Sequence, residues 1–206
     1  MFVRTGLTIA VSSALLLASG STFAAAADSG MYIGISLGQS RSTFDTAAAL
    51  AAQGAPAGST LSLDSSAFSF KEVFGYQVNR NFAVELSYTS LGKYDLTFTR
   101  PGTATTTGKA TAGGFGFAGV GMVPMNKDLS FFGKLGTLKA DISTSTGVTS
   151  NTSHNWAPNY GVGLKYVITP SISLRGELER FQGMGDNART VKTDSNLFTL
   201  GLSYKF

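Results

Sequence analysis

Apolar and polar residues alternate through the closing stretch of the chain. Leu200, Leu202, Tyr204 and Phe206 fall on one face of an extended strand, and Thr199, Gly201, Ser203 and Lys205 on the other. A side-chain period of two makes one face apolar and aromatic and the opposite face polar. Seven further segments can be drawn on the same rule, two of them imperfectly. Met31 to Ser40 aligns Ile33, Ile35 and Leu37, and Ser66 to Val78 aligns Phe70, Phe74, Tyr76 and Val78. Phe82 to Arg100 sets Phe82, Val84, Leu86 and Tyr88 against Ala83, Glu85 and Ser87. Leu129 to Thr144 aligns Leu129, Phe131 and Leu135; Trp156 to Ile168 aligns Tyr160, Val162, Leu164 and Tyr166; Ser171 to Gln182 aligns Ile172, Leu174 and Leu178. Two segments resist. Lys109 to Val123 is glycine-rich, and Phe115 and Phe117 oppose Ala118, Val120 and Met122, which leaves its lipid face undecided. Glu72 shares a face with Phe70 and Phe74, so either a bulge intervenes or Glu72 lies near an interface. A carboxylate in mid-bilayer is unfavourable, which makes the bulge the simpler reading.

The connections alternate as well. Short turns near Asn79, Asn126 and Thr169 separate four longer polar stretches at 41–64, 101–108, 145–153 and 183–194. The first of these is rich in Ala, Gly and Ser, with room for a brief helix over Ala47–Ala52. Short turns at one end, long loops at the other and an even strand number predict an all-β, eight-stranded antiparallel up-and-down transmembrane β-barrel. A soluble barrel of the lipocalin kind would instead bury the apolar face. Alternation alone does not decide which face is inward; the aromatic terminal residue Phe206 and the N-terminal segment do.

That segment, residues 1–26, carries one early charge (Arg4), an apolar run from Leu7 to Leu17 and small residues that offer cleavage after Ala24, Ala26 or Ala27. This is the layout of a secretory signal peptide, too short and weakly apolar for a membrane anchor. The expected domains are therefore a cleaved leader, 1–26, and a barrel, 27–206.

Composition supports the class. Only 14% of the residues are charged, against about 25% in soluble domains, and no later window approaches the roughly 20 apolar residues of a spanning helix. There is no cysteine, so no disulfide or thiolate metal site is possible. The net charge of +4 falls to +3 once Arg4 leaves with the leader, and it is spread without a basic block. Neither nucleic acid nor any metal or cofactor is expected as a partner.

Two passages carry a family resemblance. Gly75-Tyr76-Gln77-Val78-Asn79 through Glu85-Leu86-Ser87-Tyr88 and Leu91-Gly92-Lys93 resembles the second hairpin of the outer-membrane protein A family. Ile168-Thr169-Pro170, Arg175, Glu177, Gly185-Asp186 and Leu200 to Phe206 resemble its last hairpin. The resemblance implies a Gram-negative outer-membrane barrel whose polar lumen is crossed by charges, with Glu85 and Arg175 at matching positions. It also implies that Gly201, Tyr204 and Phe206 belong to a terminal signal read by the barrel-assembly machinery. Lys165 departs from the family, which carries an acid there, and the family's lysine on the fourth strand has no counterpart near Val120. With no peptidoglycan-binding domain after Phe206, cell-wall tethering is not expected.

The functional expectation is a non-enzymatic envelope barrel with a structural or surface-interaction role. Glu85, Lys134, Lys165, Arg175, Glu177 and Glu179 lie opposite the aromatics and would form an ion network plugging the lumen, since isolated charges there would be costly. A narrow gated pore on the same network is the alternative. A lipid A-modifying hydrolase or acyltransferase is a second alternative, resting on the one histidine, His154. Its neighbour Ser153 would face the opposite way on a strand, and no acid lies close in sequence. Lys139 and Arg180 share the lipid face near the outer boundary and are expected to contact lipopolysaccharide phosphates. Tyr32, Tyr76, Phe82, Tyr166, Tyr204 and Phe206 are expected in the lower aromatic girdle, and Tyr88, Tyr94 and Trp156 in the upper. Outer loops would meet host or phage ligands.

Overall fold

A computed structural model of the protein describes residues 29–44, 46–52, 54–102, 105–146, 149–185 and 193–206. The expected leader, 1–26, lies outside the described residues. The elements are β1 (Gly30–Phe44), α1 (Thr46–Ala52), β2 (Thr60–Leu63), β3 (Ser66–Gln77), β4 (Phe82–Thr99), β5 (Thr106–Pro124), β6 (Leu129–Thr146), β7 (Thr149–Val167), β8 (Ile172–Met184) and β9 (Thr193–Lys205). Each long strand pairs antiparallel with its sequence neighbours, and β9 pairs with β1, so eight strands close into an up-and-down cylinder. Four-residue β2 adds only to the top of β4, through Thr60↔Thr99 to Leu63↔Leu96.

The three short turns share one design. In each, an Asn or Thr side chain caps the chain reversal and a backbone bond closes it. Asn79 Oδ1 accepts the Asn81 and Phe82 amides at 2.8 and 2.9 Å, and Asn126 Oδ1 accepts those of Asp128 and Leu129 at 2.9 and 2.7 Å. Thr169 Oγ1 accepts the Ile172 amide at 3.0 Å. The local side-chain acceptor substitutes for ladder bonds the turn cannot make. At the other end the strands run on. β6 and β7 continue to Thr146 and Thr149, so the stretch 145–153, expected to be a loop, is mostly strand. The brief helix in the first long connection is α1.

Register fixes the shape. The cross-strand row that starts at Tyr166 on β7 runs through Leu174, Leu202, Ile35, Glu72, Tyr88, Phe115 and Lys139. It returns to β7 at Trp156, ten residues from its start. Eight strands with that stagger tilt by about 40° and leave a backbone radius of about 8 Å, room for side chains but not for an open channel. Ten residues at that tilt rise about 25 Å, the height of an outer-membrane apolar band.

The outer surface fits that band. Exposed large hydrophobics include Ile35, Leu37, Phe74, Leu86, Leu135, Val162, Leu178 and Leu202, with Tyr76, Phe82, Tyr166, Tyr204 and Phe206 low and Trp156 high. Phe115 and Phe117 also point out while Ala118, Val120 and Met122 are buried, which settles the lipid face of β5. Two expected girdle residues are corrected. Tyr32 is buried because Met31 and Ile33 flank it on the outer face. Tyr94 is buried because the β4–β5 register shifts between Ser90 and Gly92, which inverts the parity above that point. Gly92 permits the shift: its φ is +95°, and a Cβ would stand 2.4 Å from the Phe68 carbonyl oxygen. Glu72 is corrected too. No bulge intervenes, since the ladders on both of its sides are unbroken, and it sits exposed among the apolar residues of the outer wall.

Candidate functional site

The lumen is stacked in three tiers. At the turn end Tyr32, Val73, Ala83, Val120, Met122 and Phe132 form an apolar floor. At the loop end Leu91, Leu138, Ala140, Ile142, Ala157, Phe181, Met184 and Leu197 form an apolar ceiling, flanked by a cluster of Ala67, Tyr94 and Ala110. Charges occupy the middle. A polar face was expected along the whole interior; the ceiling arises because Leu, Ile, Phe and Met take inward positions of the upper strands beside buried hydroxyls such as Ser40, Ser42, Ser153 and Ser195.

Alternation delivers the middle tier. Glu85 on β4, Lys71 on β3, Lys134 on β6, and Arg175, Glu177 and Glu179 on β8 all project inward. Arg175 grips Glu85 with both terminal nitrogens, Nη2 at 3.3 Å from Oε2, and Nη2 also lies 3.3 Å from Glu177 Oε2. Tyr32 donates to Glu85 Oε1 at 2.6 Å. Lys134 Nζ stands 3.0 Å from Glu179, 3.3 Å from Glu177 and 3.7 Å from Glu85. Lys71 Nζ bonds Glu177 at 3.1 Å and also Glu179, to which Asn159 donates as well. Three cations and three carboxylates therefore balance in a space where five of the six side chains are no more than 3% exposed. The sixth, Arg175, lies 4.2 Å over the Phe132 ring. Buried charge is tolerated only when paired and hydrogen-bonded, and this arrangement meets both conditions.

The structure thus brings together five of the six residues expected in the network and leaves Lys165 out. Its ammonium lies 5.8 Å from the Tyr32 ring centroid, lower in the lumen, and makes no ion pair among the described residues. Lys71 takes its place. Sequence reading passed over Lys71, although its parity opposite Phe70 and Phe74 was the available signal.

The other expected sites scatter. Gly201 faces inward, where a Cβ would sit 2.1 Å from Ser36 Oγ, so close strand packing already requires glycine there. Tyr204 and Phe206 face out and stack edge to face at 5.3 Å. Lys139 is exposed on the outer wall between Phe115 and Trp156. Arg180 also faces out, bonded to Asp194 at 2.9 Å. His154 lies on strand β7, not in a loop, and its Nδ1 is 2.5 Å from Asp141 Oδ1 on β6. An acid is therefore present after all, brought by cross-strand pairing instead of sequence proximity. Ser153, however, points into the lumen and is buried, out of reach as a nucleophile.

A closed, tilted eight-stranded cylinder, apolar outside and ion-paired within, defines the class of small outer-membrane β-barrels. The profile of the OmpA-like transmembrane domain matches residues 26–206, and the chain belongs to that family. Outer membrane protein A of Escherichia fergusonii is 30% identical, over 64% of this chain and 38% of its own length. That of Salmonella typhi is 31% identical with the same coverage. The chain spans less than two fifths of the length of these curated relatives. Among solved structures, Neisserial surface protein A superposes with a TM-score of 0.60 at 15% identity, covering 86% of this chain and 97% of that one. Ail, the attachment invasion locus protein of Yersinia pestis, gives 0.54 at 20% identity, covering 86% and 99%. At such identities the likeness is one of fold. The protein is an outer-membrane barrel of a Gram-negative bacterium.

Proposed function

We propose that the barrel is a non-enzymatic, non-conducting component of the envelope, with a structural or surface-interaction role carried by its outer wall and outer loops. One observation carries this reading: the ion network is sandwiched between two apolar tiers, and in the upper one Leu91, Ala140, Ala157, Phe181 and Met184 are 0% exposed. An ion crossing this lumen would have to break a charge-balanced cluster and then pass a packed ceiling whose buried hydroxyls, those of Ser40, Ser42, Tyr94 and Ser195, are already bonded to one another and to the Leu91 carbonyl, both unfavourable by several kcal/mol. The test is planar-bilayer recording on the folded protein. No discrete conductance is expected from the native barrel, nor from Arg175→Ala, because the apolar ceiling remains; resolved current steps from the native protein would establish the gated-pore alternative instead.

The terminal Gly201, Tyr204 and Phe206 serve as the signal to the assembly machinery under the same reading. Phe206→Ser should lower the folded fraction in outer membranes while leaving refolding in detergent unchanged.

A further inference from the structure

A groove of about 570 Å³ runs along the outer wall across β1, β9, β8 and β7. It has two tiers set by register. Arg41, Asn196 and Arg180 form one cross-strand row. The row directly beneath is Gln39, Phe198 and Leu178. By the tilt and rise of the strands, the upper row lies about 18–24 Å above Tyr166, at the outer edge of the apolar band, and the lower row falls within it. Polar cationic side chains thus sit over an apolar floor, and Gly176, outward-facing below Leu178, extends that floor downward without a side chain.

The cations are poised unequally. Asp194 holds Arg180 Nη2 at 2.9 Å and Asn196 Oδ1 accepts from Nη1 at 3.4 Å, but Arg180 Nε is buried with no hydrogen-bond partner. Arg41 is exposed and has no hydrogen bond or ion pair among the described residues. The two strands that carry the guanidiniums are separated only by β9, about 10 Å from backbone to backbone. That span suits two phosphates on one disaccharide headgroup, and guanidinium forks match phosphate oxygens.

We propose that this groove binds an acylated, doubly phosphorylated glycolipid of the outer leaflet, of the lipid A class. Arg41 and Arg180 take the phosphates, and Leu178 and Phe198 take the acyl chains. Lys139, expected from sequence to share this role with Arg180, lies on β6 beyond β7 and outside the groove.

The test is native mass spectrometry and titration calorimetry on protein purified from outer membranes into detergent, with hexa-acylated bisphosphorylated lipid A as the probe. Arg41→Gln/Arg180→Gln should weaken binding at least tenfold, the monophosphorylated lipid should fall between, and Lys139→Gln should leave binding unchanged. Asp194→Asn, which removes the neighbouring negative charge but keeps an acceptor, should tighten it. Heat-modifiable migration on gels confirms that each variant is folded. Binding by the double variant within twofold of the native protein overturns the proposal. So does equal affinity for phosphatidylglycerol, which would mean a general anionic-lipid surface, or displacement by millimolar inorganic phosphate, which would mean an anion site without acyl contacts.

Discussion

Lys71 and Glu72 are adjacent in sequence and live in opposite solvents. Lys71 points into the lumen, fully buried, with two carboxylates on its ammonium. Glu72 points out, flanked across the ladder by Ile35 and Tyr88, and has no hydrogen bond or ion pair among the described residues. It lies four strands along the row that starts at Tyr166, about 12 Å up a band of about 25 Å. The same pair of opposite charges is thus a satisfied element of a network on one side of the wall and an unpaired carboxyl on the other. Burial from water is common to both positions; what differs is whether the surroundings were built to answer the charge.

The network side is where a single change should cost most. Glu85 anchors Arg175, Lys134 and Tyr32 together, so Glu85→Leu would leave two buried cations short of a partner. A loss of about 3–5 kcal/mol is expected, since breaking one member of a buried cluster strands the others. Urea unfolding of the barrel in lipid vesicles reads this directly. A loss below about 1 kcal/mol would mean that the middle tier is hydrated and that its charges are answered by water.

Two lysines facing the same lumen sharpen the contrast. Lys134 lies within 3.7 Å of three carboxylates, whereas Lys165 makes no ion pair among the described residues and has the Tyr32 ring on one side and the like charge of Arg175 across the ladder. Lys134→Met should therefore lose about 3 kcal/mol or more. Lys165→Met should lose no more than about 1 kcal/mol, the scale of a cation–ring contact. Equal losses measured in the same vesicles would return Lys165 to the network and undo the assignment of Lys71 in its stead.

Much of this barrel was legible in the sequence, for a physical reason. Alternation of period two is imposed by the pleat, so strands such as Ser66–Gln77 and Phe82–Thr99 declare themselves within a residue, and the inward parity of Glu85, Lys134 and Glu177 follows. Register and tilt are not written locally. Only the closed ladder places Lys71 against Glu177 and Glu179, His154 against Asp141, and Arg41 in one cross-strand row with Arg180. The bulge at Gly92 was equally hidden, because a single extra residue inverts the parity of Tyr94 without changing the composition around it. The apolar ceiling was missed because alternation assigns a face without saying that inward positions must be polar.

Glu72 offers the gentlest test and the one with the opposite sign. Glu72→Leu keeps the strand parity and replaces a carboxyl with a side chain like those on every side of it, so the barrel should gain stability. The gain should stay below about 2 kcal/mol, because an acidic residue at the lipid face costs less than a basic one. The converse change sits one strand away in the same row: Ile35→Glu should lose a similar amount, since the two positions lie within about 3 Å in height and neither faces a cation. Unfolding midpoints of the two variants in vesicles decide the matter. If Glu72→Leu weakens the barrel while Ile35→Glu also weakens it, then the carboxyl of Glu72 is answered by something in the membrane plane, and the outer wall at β3 is a contact surface instead of a lipid-facing one.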